Sequence, residues 1–115
     1  MNALETLVRA IENRRPISFQ YNKPGKIAGV RFGHPYAIFF HKAKKTRVIS
    51  TKVDILQTDG VSDTKYIKPF PSFRQYNLEE LTDIIILIDQ PCFCEPWHLD
   101  YNPLSDRYKD VIVKI

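Results

Sequence analysis

Only four glycines occur, and none neighbours another, so neither a phosphate-cradling loop nor a dinucleotide fingerprint can be drawn. Cysteine is equally scarce. Cys92 and Cys94 cannot build a disulfide framework, and strand residues two apart point the same way without bridging geometry. Reduced thiols and a cytoplasmic setting are the expectation. The longest aliphatic run, Ile84 to Ile88, is far too short to cross a bilayer, and Met1 to Glu5 lack the charged-then-apolar layout of a signal peptide. No membrane partner is therefore expected. A catalytic constellation is also missing: Cys92 or Cys94 with His98 is the one nucleophile–base pairing close in sequence, with no glycine-rich turn or oxyanion site beside it. The pattern Cys92, Cys94, His98, Asp100 has no usual zinc spacing and no second cysteine pair. A non-enzymatic chain without cofactor or metal is expected.

What the sequence does have is positive charge at one end. Residues 1–52 carry eleven Lys or Arg against two acids, and residues 53–115 carry six against eleven. If folding keeps these halves on different faces, one face attracts phosphates; if the halves interleave, the field largely cancels. With 115 residues, 43% of them hydrophobic, the chain suffices for one core, and a single domain over 1–115 is expected.

Leu4, Leu7, Val8 and Ile11 have the spacing of an amphipathic helix, which Asn2 can cap and Pro16 must end. Arg9, Arg14 and Arg15 read as its solvated end. Ile17, Phe19 and Tyr21 alternate with Ser18 and Gln20 as a strand with one buried face, and Asn22 to Lys26 is a turn into a strand over Ile27 to Phe32. Val30 to Lys52 reads as a hairpin and as the likeliest working surface. In it Arg31 falls on the non-core face, Tyr36 to His41 is apolar on both faces, Lys42 to Lys45 is a cationic turn, and Arg47 belongs to the return strand. That strand extends to Leu56, Gln57 to Lys65 is a loop, and Tyr66 to Pro71 is an extended connector because prolines remove ladder donors. Phe73 to Leu78 alternates. Ile84 to Ile88 gives the strongest signal of a buried strand, and Tyr108 to Ile115 a last one, after an irregular segment broken by Pro91, Pro96 and Pro103.

The helix LVRAIENRR, then ISFQY, then VRFGHPYAI, and later FRQYNLEEL before an aliphatic strand, together resemble the layout of WYL domains over about residues 4–88, leaving 89–115 as a tail. The resemblance implies an Sm-like or SH3-like barrel that senses a ligand, often nucleic acid or nucleotide, through basic and aromatic residues. Arg31 with His34-Pro35-Tyr36 is similar to the family's Arg-then-Pro strand, and Arg74 with Tyr76 to its later Arg-aromatic element. The namesake Trp-Tyr-Leu tripeptide falls near Arg47-Val48-Ile49 and is absent there.

The combined expectation is an α+β, mainly β fold: an N-terminal helix followed by a small Sm-like or SH3-like barrel of about five or six strands. Its function is expected to be transcriptional or similar regulation through an anionic ligand, single-stranded nucleic acid or a nucleotide. Arg31, His34, Tyr36, Lys45, Arg47, Arg74 and Tyr76 are the candidate ligand-binding residues, since arginine forks suit phosphate and flat rings suit bases. The alternative is a protein-interaction or homo-oligomerisation module that binds no nucleic acid.

Overall fold

The computed structural model describes residues 1–62 and 69–115. Helix α1 (Ala3–Glu12) starts where expected: the Asn2 side chain accepts from the Glu5 backbone N–H at 2.8 Å and its amide donates to the Glu5 carboxylate at 3.1 Å. It buries Leu7, Ala10 and Ile11.

Among the described residues six strands form one antiparallel sheet: β1 (Ile17–Tyr21), β2 (Val30–Lys42), β3 (Ile49–Gly60), β4 (Ser72–Asn77), β5 (Leu81–Ile86) and β6 (Val111–Lys114), in the order β4-β3-β2-β1-β5 with β6 added on β2. The mainly β fold with one N-terminal helix is thus as expected. Among the described residues the barrel is not closed by strand pairing, because β4 and β5 end the order at opposite edges.

The 13-residue β2 organises the sheet. Its Arg31–Gly33 and Val30 pair with β1, its Ala37–Phe39 pair with β6, and β3 lines the other edge throughout. The change of neighbour falls at Pro35-Tyr36, where the β2–β3 register shifts between Pro35 and Ala37. Such an irregularity bends a strand and increases its twist. Beside it the Tyr36 carbonyl accepts from the Ile115 N–H at 3.0 Å.

Two cores result. The first packs α1 on one face of the sheet through Leu7, Ile11, Ile17, Phe19, Ile38, Val53, Ile55 and Leu81. In the second, Tyr36, Phe39 and Leu56 meet Phe93, Tyr101 and Tyr108 of the tail. This explains why the Tyr36–Phe39 segment reads as apolar on both faces: Ile38 enters one core and Phe39 the other.

Several expected boundaries move. Residues 27–29 are not strand, and β2 begins at Val30. β3 runs on through Gln57–Gly60, where a loop was expected; at Gly60, with φ +98°, a Cβ would stand 2.4 Å from the Val30 carbonyl oxygen and 2.7 Å from the Arg31 Cα, so the two chains approach as only glycine allows. Residues 63–65 of that loop, and Tyr66 to Lys68 of the connector, lie outside the described residues. Ile84 to Ile88 is not a buried strand: β5 stops at Ile86, and Ile85 and Ile88 are 58% and 79% exposed. An edge strand has a neighbour on one side only, here β1, and β5 is further bent by Asp83 at φ 51°. Cys92 and Cys94 are exposed free thiols.

Candidate functional site

Arg31 overturns the expectation that it lies off the core. It pairs in register with Phe19 and Gly60, and its side chain is fully buried. The guanidinium lies 5.8 Å from the Tyr21 ring centre and 5.9 Å from that of Tyr76, and Nη2 donates to the Ile27 carbonyl at 3.2 Å. Ring faces and carbonyl oxygens are what make a buried cation tolerable. Tyr76, also buried, donates its hydroxyl to Gln57 Oε1 at 2.8 Å, and the Gln57 amide donates to the Asp59 and Val61 carbonyls. Arg31 and Tyr76 therefore meet inside the first core.

His34 and Tyr36 belong to the second. His34 stacks on Phe93 at 4.6 Å between ring centres, and Tyr36, buried, packs edge-on against Phe73, Trp97 and Tyr101. Burial lowers the His34 pKa and raises that of Tyr36, whose hydroxyl accepts from the His98 backbone N–H. The tail that supplies these rings is anchored at its start by Phe93 N–H to the Arg14 carbonyl at 2.9 Å and by Arg15 Nη1 to the Gln90 carbonyl at 3.1 Å. Arg14 and Arg15, read as a solvated helix end, thus hold the tail; Arg14 also lies over Trp97.

Deeper in this core sits Asp54, fully buried in the run Val53-Asp54-Ile55. Tyr108 donates its hydroxyl to Oδ2 at 2.6 Å and Arg107 Nη2 donates to Oδ1 at 2.9 Å. Burial raises the Asp54 pKa against the opposing pull of both partners, and the same burial, with Asp54 beside it, raises that of Tyr108. Arg107 also lies over the Phe39 and Tyr108 rings. Sequence reading missed this network; its signal was a lone acid inside an aliphatic strand.

Arg74 is half-buried on β4, donating to the hydroxyls of Ser72 and Ser62 and lying over Phe70. Lys45 and Arg47 stand elsewhere, in the turn between β2 and β3, exposed together with Lys42 and Lys44. Arg47 was expected on the return strand. Instead Ala43 N–H bonds the Val48 carbonyl and Arg47 N–H the Ala43 carbonyl, which lengthens the turn and leaves Arg47 at φ 56°. From His41 to Lys52 the chain contains no acid. The seven candidates thus divide: Arg31 and Tyr76 in one core, His34 and Tyr36 in the other, Arg74 on β4, Lys45 and Arg47 on an exposed cationic hairpin. Among the described residues no three His, Cys, Asp or Glu side chains gather as a metal site requires.

The helix, the β1–β2 pair with its early arginine, and the turn that follows are the part of this chain for which a family model exists: residues 2–48 match the WYL domain. That stretch, less than half of the chain, is similar to WYL domains. The match includes Arg31, His34, Tyr36, Lys45 and Arg47, whereas β3 to β6, with Arg74, Tyr76 and the tail, lie beyond it. No curated protein and no solved structure matches the chain. WYL domains are regulatory, ligand-sensing modules, which is the direction in which this likeness points. No helix among the described residues is long and apolar enough to cross a membrane.

Proposed function

We propose that this WYL-like protein is a regulatory module that senses an anionic ligand, single-stranded nucleic acid or a nucleotide, on the hairpin between β2 and β3. The observation that carries this reading is the exposure of Lys42, Lys44, Lys45 and Arg47 on one acid-free turn. Surface cations of this density release counterions when phosphates replace them. Buried Arg31, Tyr36 and Tyr76 hold the sheet that presents the turn, and Arg74 on β4 is a separate, half-buried cation. Two exposed free thiols suit a reducing, cytoplasmic compartment.

The test is fluorescence anisotropy of a labelled single-stranded oligonucleotide against the wild-type chain and a Lys45→Ala, Arg47→Ala double variant, across roughly 50 to 200 mM salt. Binding should weaken steeply with salt, and the variant should reduce the salt slope by about two, one per lost phosphate contact. Absence of binding at low salt, or an unchanged slope in the variant, overturns the reading. A second reading, self-association, is favoured by the exposed Ile85 on edge strand β5 and the exposed Ile88 just beyond it. It predicts a mass by light scattering that rises with protein concentration and hardly responds to salt.

A further inference from the structure

Phe40 is out of place. Its neighbours Ile38 and Phe39 are 0% and 1% exposed, yet its own ring is 47% exposed near the end of β2. Strand alternation puts Phe40 and Lys42 on one face, opposite Thr51 and Ile49 of β3. On that face Phe40, Lys42 and Ile49, with Asp110 at the side, line an open recess of ≈ 400 Å³. Ile49 is itself 64% exposed. The Phe40 backbone is held rather than loose, its N–H donating to the Asp110 carbonyl at 3.1 Å. The lysines and arginine of the turn follow directly from Lys42.

From this arrangement we infer that the Phe40 recess is a stacking platform for one unpaired base of a single-stranded nucleic acid, whose phosphates run along Lys42 and the turn. The inference rests on the anionic-ligand reading above and adds to it the part of the ligand that carries no charge. A flat aromatic face beside cations matches a ligand that alternates flat rings with phosphates. A duplex keeps its base faces stacked inside and offers nothing to Phe40. An anionic membrane would also meet exposed apolar and basic side chains, but it would press a continuous negative surface onto the Asp110 carboxylate. A single strand avoids that repulsion by laying its base towards Asp110 and its backbone towards Lys42.

The experiment compares the wild-type chain with Phe40→Ala and Phe40→Tyr, by anisotropy, on a labelled single strand, the same strand with abasic positions, and its duplex; sedimentation with phosphatidylserine vesicles is the fourth arm. Phe40 is half outside the core, so both variants should fold, which circular dichroism checks. The expected result is tighter binding of the intact strand than of the abasic strand or duplex, a loss of about tenfold in Kd for Phe40→Ala with the salt slope unchanged, and recovery in Phe40→Tyr. Salt-sensitive binding that ignores both the abasic positions and Phe40→Ala would overturn the platform while leaving the cationic reading intact. Failure to bind any oligonucleotide would overturn both. Vesicle binding lost in Phe40→Ala, without preference for the intact strand, would reassign the recess to a lipid surface.

Discussion

Asp54 shows how a single carboxylate can attach one part of a chain to another. A charge with no solvent exposure is tolerable only while both oxygens are satisfied, and the donors come from Arg107 and Tyr108, more than fifty positions later. Tyr108→Phe removes one donor and leaves the ring packing. A hydrogen bond to a charged group contributes about 2 kcal/mol, so the urea midpoint should fall by that equivalent. An unchanged midpoint would mean that water reaches Asp54. His34 makes the contribution of burial visible in pH. Its folded pKa lies below the ordinary 6.5, because burial disfavours the imidazolium. The unfolded chain therefore takes up a proton first. The stability contributed by the neutral ring is complete above 6.5 and is lost as pH falls from there through the lowered folded value. Urea midpoints at about pH 7.5 and 5.5 should differ more for the wild type than for His34→Phe, which keeps the stack on Phe93 without the titration. Equal differences would place His34 in water.

At the scale of elements, the tail is the feature that changes the character of the sheet. An antiparallel sheet commonly leaves one face wet. Here Phe93, Trp97, Tyr101 and Tyr108 cover the face opposite α1, and β6 occupies the edge of β2 at Ala37–Phe39. A chain ended after Gln90 would expose Tyr36, Phe39 and Leu56 and open those ladder groups. It should bind the dye ANS strongly and lose amide-proton dispersion by NMR while keeping its helical circular dichroism. A truncated chain with native dispersion would show that the first core suffices. Strand β5 illustrates the reverse relation, in which an element apolar enough for an interior lies at an edge with Ile85 in solvent.

For the molecule as a whole, what could be read in advance was whatever depends on near neighbours. The α1 periodicity, its Asn2 cap, the β1 strand and the cationic hairpin depend on residues a few positions apart, and all four are present, although Ser18 of β1 is buried where an open face was expected. The side of the sheet that Arg31 faces depends instead on how β2 curls, and alternation assigns a face without saying which face is inside. The same limit hid the Asp54 network and the partners of the tail's rings, which lie in a proline-broken segment with no period and pack on β2 and β3. The site was legible as chemistry, basic and aromatic, but not as geometry, since its seven residues reach four different places.

The placing of β1 also bears on the order in which the chain can assemble. Its two neighbours are β2, a few residues on, and β5, with Ile17 opposite Ile86. During synthesis the first strand must wait, one edge unmatched, until nearly the whole β-sheet sequence has left the ribosome. Pairings that close so long a loop pay their entropy before any contact repays it, which puts folding towards the slow, roughly millisecond-to-second end for small domains. The stretch that carries the family signature is in this sense the last to be secured, and a nascent chain halted within β3 would offer a chaperone the bare edge of β1.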